Sequence, residues 1–322
     1  MVSATAVAHP NIAFIKYWGN RDESLRLPAN SSLSMNLDGL QTRTTVSFES
    51  GLKEDKLEIN GKPASGDRQR RVSKFLDLVR TQAGVRVAAR VTSENNFPSG
   101  AGIASSSSAF AALALAASSA AGLKLDESAL SRLARRGSGS ASRSIPGGFV
   151  EWRAADRDEN CYAVSIAPPD HWDLVDCIAV VDEAQKETGS SEGHKLAASS
   201  PLQLLRIETA EDRLALCRRA ILNKDFTALA EIVELDSHLM HAVMMTSRPP
   251  LLYWQPASLA AMLTVGGWRK QGLAACCTLD AGPNVHVICA AVDSAAVQKK
   301  LSEIPGVQKV LSAHPGGPAR LL

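Results

Sequence analysis

Polar and apolar residues alternate with a period of two in several stretches of the chain. Over Thr42–Phe48, Thr42, Thr44, Val46 and Phe48 fall on one side and Arg43, Thr45 and Ser47 on the other. Over Val85–Ser93, Val85, Val87, Ala89 and Val91 alternate with Arg86 and Arg90. Successive side chains of a strand point to opposite faces, so both patterns predict half-buried strands. Cys177–Val181, Leu273–Leu279 and Asn284–Val292 are more continuously apolar and predict strands buried on both faces. Helices are equally legible. Ser105–Ala121 is rich in alanine and leucine and stops at Gly122, a residue suited to the left-handed C′ position. Asp126 is placed to cap a helix reaching Arg136, and Ser200-Pro201 reads as a cap and first turn of a long helical region to His241. The later half of Lys62–Gly84 is also helical in pattern. Strands and helices are mixed, which predicts an α+β class with a boundary near Pro168–Pro169. Gly51–Asp55 and Ala154–Asn160 read as solvated turns.

Length and composition narrow this picture. The 322 residues suffice for two lobes of ordinary size, and 45% apolar content supplies a core for each. A formal net charge of +2 leaves no basic surplus for a nucleic-acid or membrane role. The arginines are scattered, apart from Arg68, Arg70 and Arg71. The longest strongly apolar stretch, Ala109–Ala117, is too short to span a bilayer, and no charged segment followed by an apolar one predicts a leader. Six cysteines without a CxxC pair read as buried free thiols in a reducing, cytoplasmic setting. His238 and His241 lie three apart with no third ligand in view, so they do not read as a zinc site. Met240, Met244, Met245, Trp254 and Trp268 read as packing residues.

Four segments carry candidate chemistry. In Pro98-Ser99-Gly100-Ala101-Gly102-Ile103-Ala104-Ser105-Ser106, glycines precede a small-residue helix. Backbone N–H groups and a helix N-terminus can cradle nucleotide phosphates there, and Ser105 and Ser106 add hydroxyls for phosphate or Mg²⁺. No Gly-Lys-Ser/Thr follows, so this is not a Walker loop, and a tight cap on a packed helix is the structural alternative. Gly137-Ser138-Gly139-Ser140-Ala141-Ser142-Arg143-Ser144 sets one arginine among hydroxyls. An arginine grips a carboxylate or phosphate through two parallel bonds; the alternative is a flexible linker. Thr278–Asn284 places Asp280 in a tight turn between two apolar strands, where it either orients an alcohol or is a plain turn aspartate. In His9–Asp22, Asn11 and Lys16 flank an apolar strand, which on spacing alone is also consistent with an edge strand and a solvated lysine.

Together these segments resemble the mevalonate diphosphate decarboxylase family of the GHMP kinase superfamily, along nearly the whole chain. The likeness is carried by Ile15-Lys16-Tyr17-Trp18-Gly19, Asn30-Ser31-Ser32-Leu33-Ser34, Asn95-Asn96-Phe97-Pro98, Gly137–Ser140, Arg143-Ser144, Gly147–Trp152 and Asp280-Ala281-Gly282-Pro283-Asn284. The resemblance implies a two-lobed α+β fold, with an N-terminal lobe like ribosomal protein S5 domain 2 over 1–170 and a GHMP C-terminal lobe over 171–322. The active site would lie in the cleft. It implies ATP and Mg²⁺, a homodimer, and a place in isoprenoid synthesis. Asp280, Arg143, Asn11 and Lys16 then match the catalytic positions. Tyr17, Trp18, Gly19, Asn20, Arg71, Ser138, Gly139, Ser140, Ala141, Ser142 and Ser191 match the substrate pocket. Asn95, Asn96, Pro98, Gly100, Gly102, Ala104, Ser105 and Ser106 match the ATP site, with Ser106 also a candidate metal contact.

Two departures bear on the substrate. Family members acting on the diphosphate commonly carry a lysine at the position of Asn20, and some bacterial relatives an arginine at that of Glu192. Each charge-assisted contact is worth about 1.5–3 kcal/mol, so their loss favours a ligand with fewer charges. Tyr253-Trp254-Gln255-Pro256 also looks like the mevalonate 5-phosphate decarboxylases of this family. The expectation is therefore mevalonate 5-phosphate as substrate and isopentenyl phosphate as product. The alternatives are the diphosphate, a 3-kinase that stops before decarboxylation, and a non-catalytic nucleotide-binding module. Arg21, Lys195 or His194 would have to replace the missing charge if the diphosphate is bound.

Overall fold

A computed structural model describes residues 3–98, 105–184 and 188–322. The predicted strand at Thr42 forms over Thr42–Glu49, with Thr42, Thr44, Val46 and Phe48 buried as the alternation requires. It lies in a six-stranded sheet whose order is Arg320–Leu321, Ser3–Ala8, Thr42–Glu49, Ala88–Asn95, Lys56–Ile59 and Lys62–Pro63. The strand predicted to begin at Val85 begins at Ala88. The helix before it runs over Asp67–Ala83 and closes on Gly84 at φ +68°, so the chain needs the next residues to turn back onto the sheet.

The Ser105–Ala120 helix is buried on nearly every face, which explains its alanine and serine content. Only small side chains let it approach the sheet on one side and the Glu127–Gly137 helix on the other. Phe110 is a large exception, and Gly137 makes room for it: a Cβ there would stand 2.0 Å from the phenyl ring. Asp126 caps the Glu127–Gly137 helix as predicted, accepting the Ala129 N–H at 2.7 Å.

The second sheet has eight strands. Ala163–Ala167, Phe149–Trp152, Ser32–Asp38, Lys309–Pro315, Leu174–Val180, Val285–Ala290 and Ala275–Thr278 follow in that order, and Asn11–Ile15 pairs with Ser32–Asp38 off this path. The two apolar runs near the C-terminal end thus form shorter strands than predicted, because their ends enter turns. Leu174–Val180 is buried throughout. Lys309–Pro315 joins the two halves of this sheet, pairing with Leu174–Val180 on one side and, through His314–Asp38 and Pro315–Leu37, with Ser32–Asp38 on the other.

The long helical region predicted from Ser200 is three helices, Gln203–Glu208, Ala210–Asn223 and Phe226–Met245. Lys224 breaks it at φ +56°, a left-handed position that ends one helix, and Asp225 caps the next by accepting the Ala228 N–H at 3.1 Å. These helices cover one face of the large sheet around Leu214, Ile221, Leu229 and Val233. The Pro256–Lys270 and Ser294–Ser302 helices cover the other end around Val265, Val287 and Leu301. All six cysteines are buried free thiols. Among the described residues no helix is long and apolar enough to cross a membrane.

Candidate active site

The residues singled out from four distant segments meet at one cavity of about 480 Å³. Lys16 enters from the end of the Asn11–Ile15 strand, Arg143 from the 3₁₀ turn Gly139–Ser144, and Asp280 from the turn after Ala275–Thr278. The lysine is not the solvated edge residue that spacing alone allowed. It is 1% exposed, and its Nζ donates to Asp280 Oδ1 at 2.6 Å. Burial pulls the Lys16 ammonium below its ordinary range, against the opposing charge of Asp280. Burial pushes the Asp280 carboxyl up, but the charges of Lys16, His286 and Arg143 outweigh it and hold the group ionised below the usual carboxylate range. A carboxylate of this kind, facing a cavity and bonded to one cation, can orient a hydroxyl or take its proton.

The main chain around Lys16 is held by buried charges that the sequence motifs did not single out. Asp236 accepts the Lys16 N–H on Oδ2 at 2.6 Å, and its Oδ1 accepts from Arg213 Nε at 2.6 Å. Arg206 Nη2 donates to the Lys16 carbonyl at 2.7 Å, and Arg213 Nη2 to the Arg206 carbonyl at 2.8 Å. The available signal was a charge at a helical position otherwise surrounded by apolar residues, as in Ile232-Val233-Glu234-Leu235-Asp236.

Arg143 is buried, and burial lowers its guanidinium to about 10. Its Nη1 donates to Ser32 Oγ at 2.6 Å and its Nη2 to Asn11 Oδ1 at 3.2 Å, while its buried Nε has no partner among the described residues. Asn11 is in turn fixed by bonds from Nδ2 to Ser144 Oγ at 2.8 Å and to the Ser140 carbonyl at 3.1 Å. Asn11 therefore reaches the site through Arg143 and does not itself line the cavity.

Of the substrate expectations, Tyr17, Trp18, Arg71, Ser138, Gly139, Ser140 and Ser191 line the cavity. Tyr17 packs against Gly139, where a Cβ would stand 2.4 Å from its ring, and its hydroxyl donates to Asn20 Oδ1. Asn20 itself stands behind Tyr17, off the cavity wall. Gly19 also stays off the wall; at φ +96° it gives its N–H to His194 Nδ1 at 2.9 Å. His194, named from the sequence only as a replacement charge, lines the cavity against the Tyr17 and Trp18 rings. Ala141 and Ser142 correct the expectation. Both turn into the interior, Ala141 among apolar neighbours and Ser142 donating to the Gly139 carbonyl at 2.7 Å.

Of the nucleotide expectations, Asn95, Ser105 and Ser106 line the cavity. Asn96 faces away and ties a turn, accepting the Gln41 N–H at 2.8 Å and donating to the Gly39 carbonyl at 2.8 Å. Pro98 is half-buried and off the wall, and Gly100, Gly102 and Ala104 lie outside the described residues. Ser106 Oγ stands 3.2 Å from Ser138 Oγ, so the helix start and the Gly139–Ser144 turn share one polar corner. His241 packs on the Trp254 ring, in keeping with a packing role, and burial lowers it to about 3, so it stays neutral.

Comparisons with known proteins place this geometry. The family model for the diphosphomevalonate decarboxylase-like N-terminal domain matches residues 8–163, and that for the mevalonate 5-diphosphate decarboxylase C-terminal domain matches 177–315. The diphosphomevalonate decarboxylase of Candida albicans is 40% identical over 89% of this chain and 84% of its own length. The Homo sapiens protein of that name is 37% identical over 89% of this chain and 76% of its own. Among solved structures, mevalonate diphosphate decarboxylase from Staphylococcus aureus superposes with a TM-score of 0.95 at 37% identity, over 99% of this chain and 98% of its own. A complex of MDDEF with MVAPP, AMPPCP and magnesium gives a TM-score of 0.95 at 40% identity, over 100% and 99% of the two chains.

Proposed function

The chain belongs to the diphosphomevalonate decarboxylase family, and from that premise we propose that it decarboxylates a mevalonate phosphorylated at the 5-position, at the expense of ATP. The observation that carries the reading is the Lys16–Asp280 pair facing the same cavity as the buried Arg143, whose Nε has no partner among the described residues. In this reading Arg143 holds the substrate carboxylate, with Asn11 positioning the guanidinium. The Asp280 carboxylate orients the 3-hydroxyl and accepts its proton, and the Lys16 charge favours the developing alkoxide. The alkoxide takes the γ-phosphoryl group of ATP. Phosphate then departs as a good leaving group, positive charge grows at C3, and the neighbouring carboxylate leaves as CO₂, its electron pair forming the alkene.

The ATP phosphates would lie against Ser105 and Ser106, beside the substrate corner at Ser138, and Mg²⁺ bound with them would offset their charge there. The two lobes expected over 1–170 and 171–322 would supply this site jointly, since Lys16 and Arg143 come from the first and Asp280 from the second.

For the substrate we favour mevalonate 5-phosphate, giving isopentenyl phosphate. Asn20 brings no charge, and its amide is engaged with the Tyr17 hydroxyl and with Glu23, to which Nδ2 donates at 3.1 Å. Glu192 is acidic and exposed. Of the three side chains that could replace them, Arg21 is paired with Asp156, Lys195 is exposed and off the cavity wall, and His194 lines the cavity with its Nδ1 accepting the Gly19 N–H at 2.9 Å. The names of the relatives favour the other reading, isopentenyl diphosphate from the diphosphate. Release of CO₂ and ADP with ATP, Mg²⁺ and each ester decides between them. A larger kcat/KM on the monophosphate is expected; the reverse preference would make this a diphosphate enzyme, and ADP without CO₂ would make it a 3-kinase.

A further inference from the structure

The cavity contains a cation that no motif singled out. Arg26 sits in the tight turn before Leu27–Pro28, in a left-handed backbone conformation at φ +52°. Such a φ is uncommon for a long side chain and marks a position set by its surroundings. Its Nε donates to the Arg136 carbonyl at 3.1 Å, which anchors the guanidinium while the side chain lines the cavity. The two terminal nitrogens have no hydrogen-bond partner among the described residues, and no carboxylate there pairs with Arg26.

Arg71 lines the same end of the cavity. Its Nη2 donates to the Gly137 carbonyl at 2.7 Å, its guanidinium lies 4.6 Å over the Phe110 ring, and its buried Nε has no partner among the described residues. Burial, and after it the like charge of Arg26, lowers Arg71 to about 10. Two guanidiniums that repel one another and lack a carboxylate between them are stabilised by a shared anion. The Ser138 and Ser140 hydroxyls, 3.4 Å apart, offer further donors on that wall.

We propose that Arg26 is a substrate-binding residue that grips the 5-phosphate together with Arg71, and so determines specificity for a single phosphoryl group. The inference rests on the reading of the cavity as the site for a mevalonate 5-phosphoester. It explains how a pocket without the cations expected at Asn20 and Glu192 still holds a phosphate. The charge stands at Arg26, on the cavity wall, while Glu23 and Glu192 are acids off it.

The test is steady-state CO₂ release by Arg26→Leu, Arg26→Gln and Arg26→Lys with each ester, alongside the KM for ATP and a thermal melt. Arg26→Leu should raise the KM for mevalonate 5-phosphate by about 10- to 100-fold, the loss expected for one charge-assisted contact. Its kcat and its KM for ATP should stay close to the wild-type values. Arg26→Lys should recover part of the loss. Arg26→Gln, which retains a donor, carries the same expectation should the leucine variant fold poorly. An unchanged KM for the phosphoester in a folded variant would overturn the assignment, as would a fall in kcat alone. Wild-type preference for the diphosphate would overturn the monophosphate reading separately. Arg26 would then remain a phosphate ligand only if its leucine variant raised the KM for the diphosphate.

Discussion

Replacing Asp280 with asparagine tests both the chemistry and the electrostatics of the site. The substitution keeps the shape and removes the charge that Lys16 bonds at 2.6 Å. Lys16 is 1% exposed and Asp280 26%. Breaking a buried ion pair by removing one partner costs about 3–5 kcal/mol, and the cavity-facing side of Asp280 places this case near the lower end, about 3 kcal/mol. With an unfolding entropy of about 2 cal/mol/K per residue, that is a fall in Tm of roughly 4 °C for a chain of this size. The loss depends on pH in a defined sense. Lys16 already titrates below its unfolded value of 10.5, so the unfolded chain binds more protons between the two values and stability rises with pH across that window. Without Asp280 the folded value drops further and the window widens downward. The variant should therefore be most destabilised near neutral pH and approach the wild type towards pH 10. Thermal melts at pH 7 and pH 9.5, with CO₂ release assayed in parallel, read both effects; turnover should fall by about 10²–10⁴-fold. Adding Lys16→Met should return stability without returning activity. Equal stability of Asp280→Asn and wild type at pH 7, or the same deficit at both pH values, would refute the argument.

Two further outcomes follow from the same geometry. Asn11→Ala removes the acceptor of Arg143 and leaves that guanidinium less constrained, so kcat/KM should fall by about 10- to 100-fold with the KM for ATP unchanged, measured by steady-state kinetics. Gly139→Ala drives a methyl group into the Tyr17 ring, which stands 2.4 Å from the ideal Cβ; substrate affinity should fall at least about tenfold, and calorimetric titration with the phosphoester would detect it.

Much of this was legible in the chain because local rules and global packing agree there. The alternation over Thr42–Phe48, the Asp126 cap and the Gly122 stop each act within a few residues, and each is present as read. Element ends were less legible. Lys224 has no Gly or Pro beside it, yet its left-handed backbone splits what periodicity reads as one helix. The catalytic candidates could be picked out from their segments, but only the family resemblance, not local spacing, brought them together. Lys16 and Asp280 are 264 positions apart, and local spacing left the lysine a solvated edge residue. The clamp of Asp236, Arg213 and Arg206 left only a weak signal for a related reason: a buried charge on a helix reads much like an exposed one until its partners are brought to it from other elements. Arg26 escaped because a turn arginine has no periodic signature.

The strand Lys309–Pro315 lies between Ser32–Asp38 and Leu174–Val180, and Arg320–Leu321 closes the smaller sheet beside Ser3–Ala8. On the ribosome those residues are made long after the strands they join, so neither sheet can be completed until synthesis has passed them. Strands near the N-terminus must wait with open edges for partners some three hundred positions downstream, an arrangement of high contact order that slows folding and leaves nascent chains exposed to association with one another.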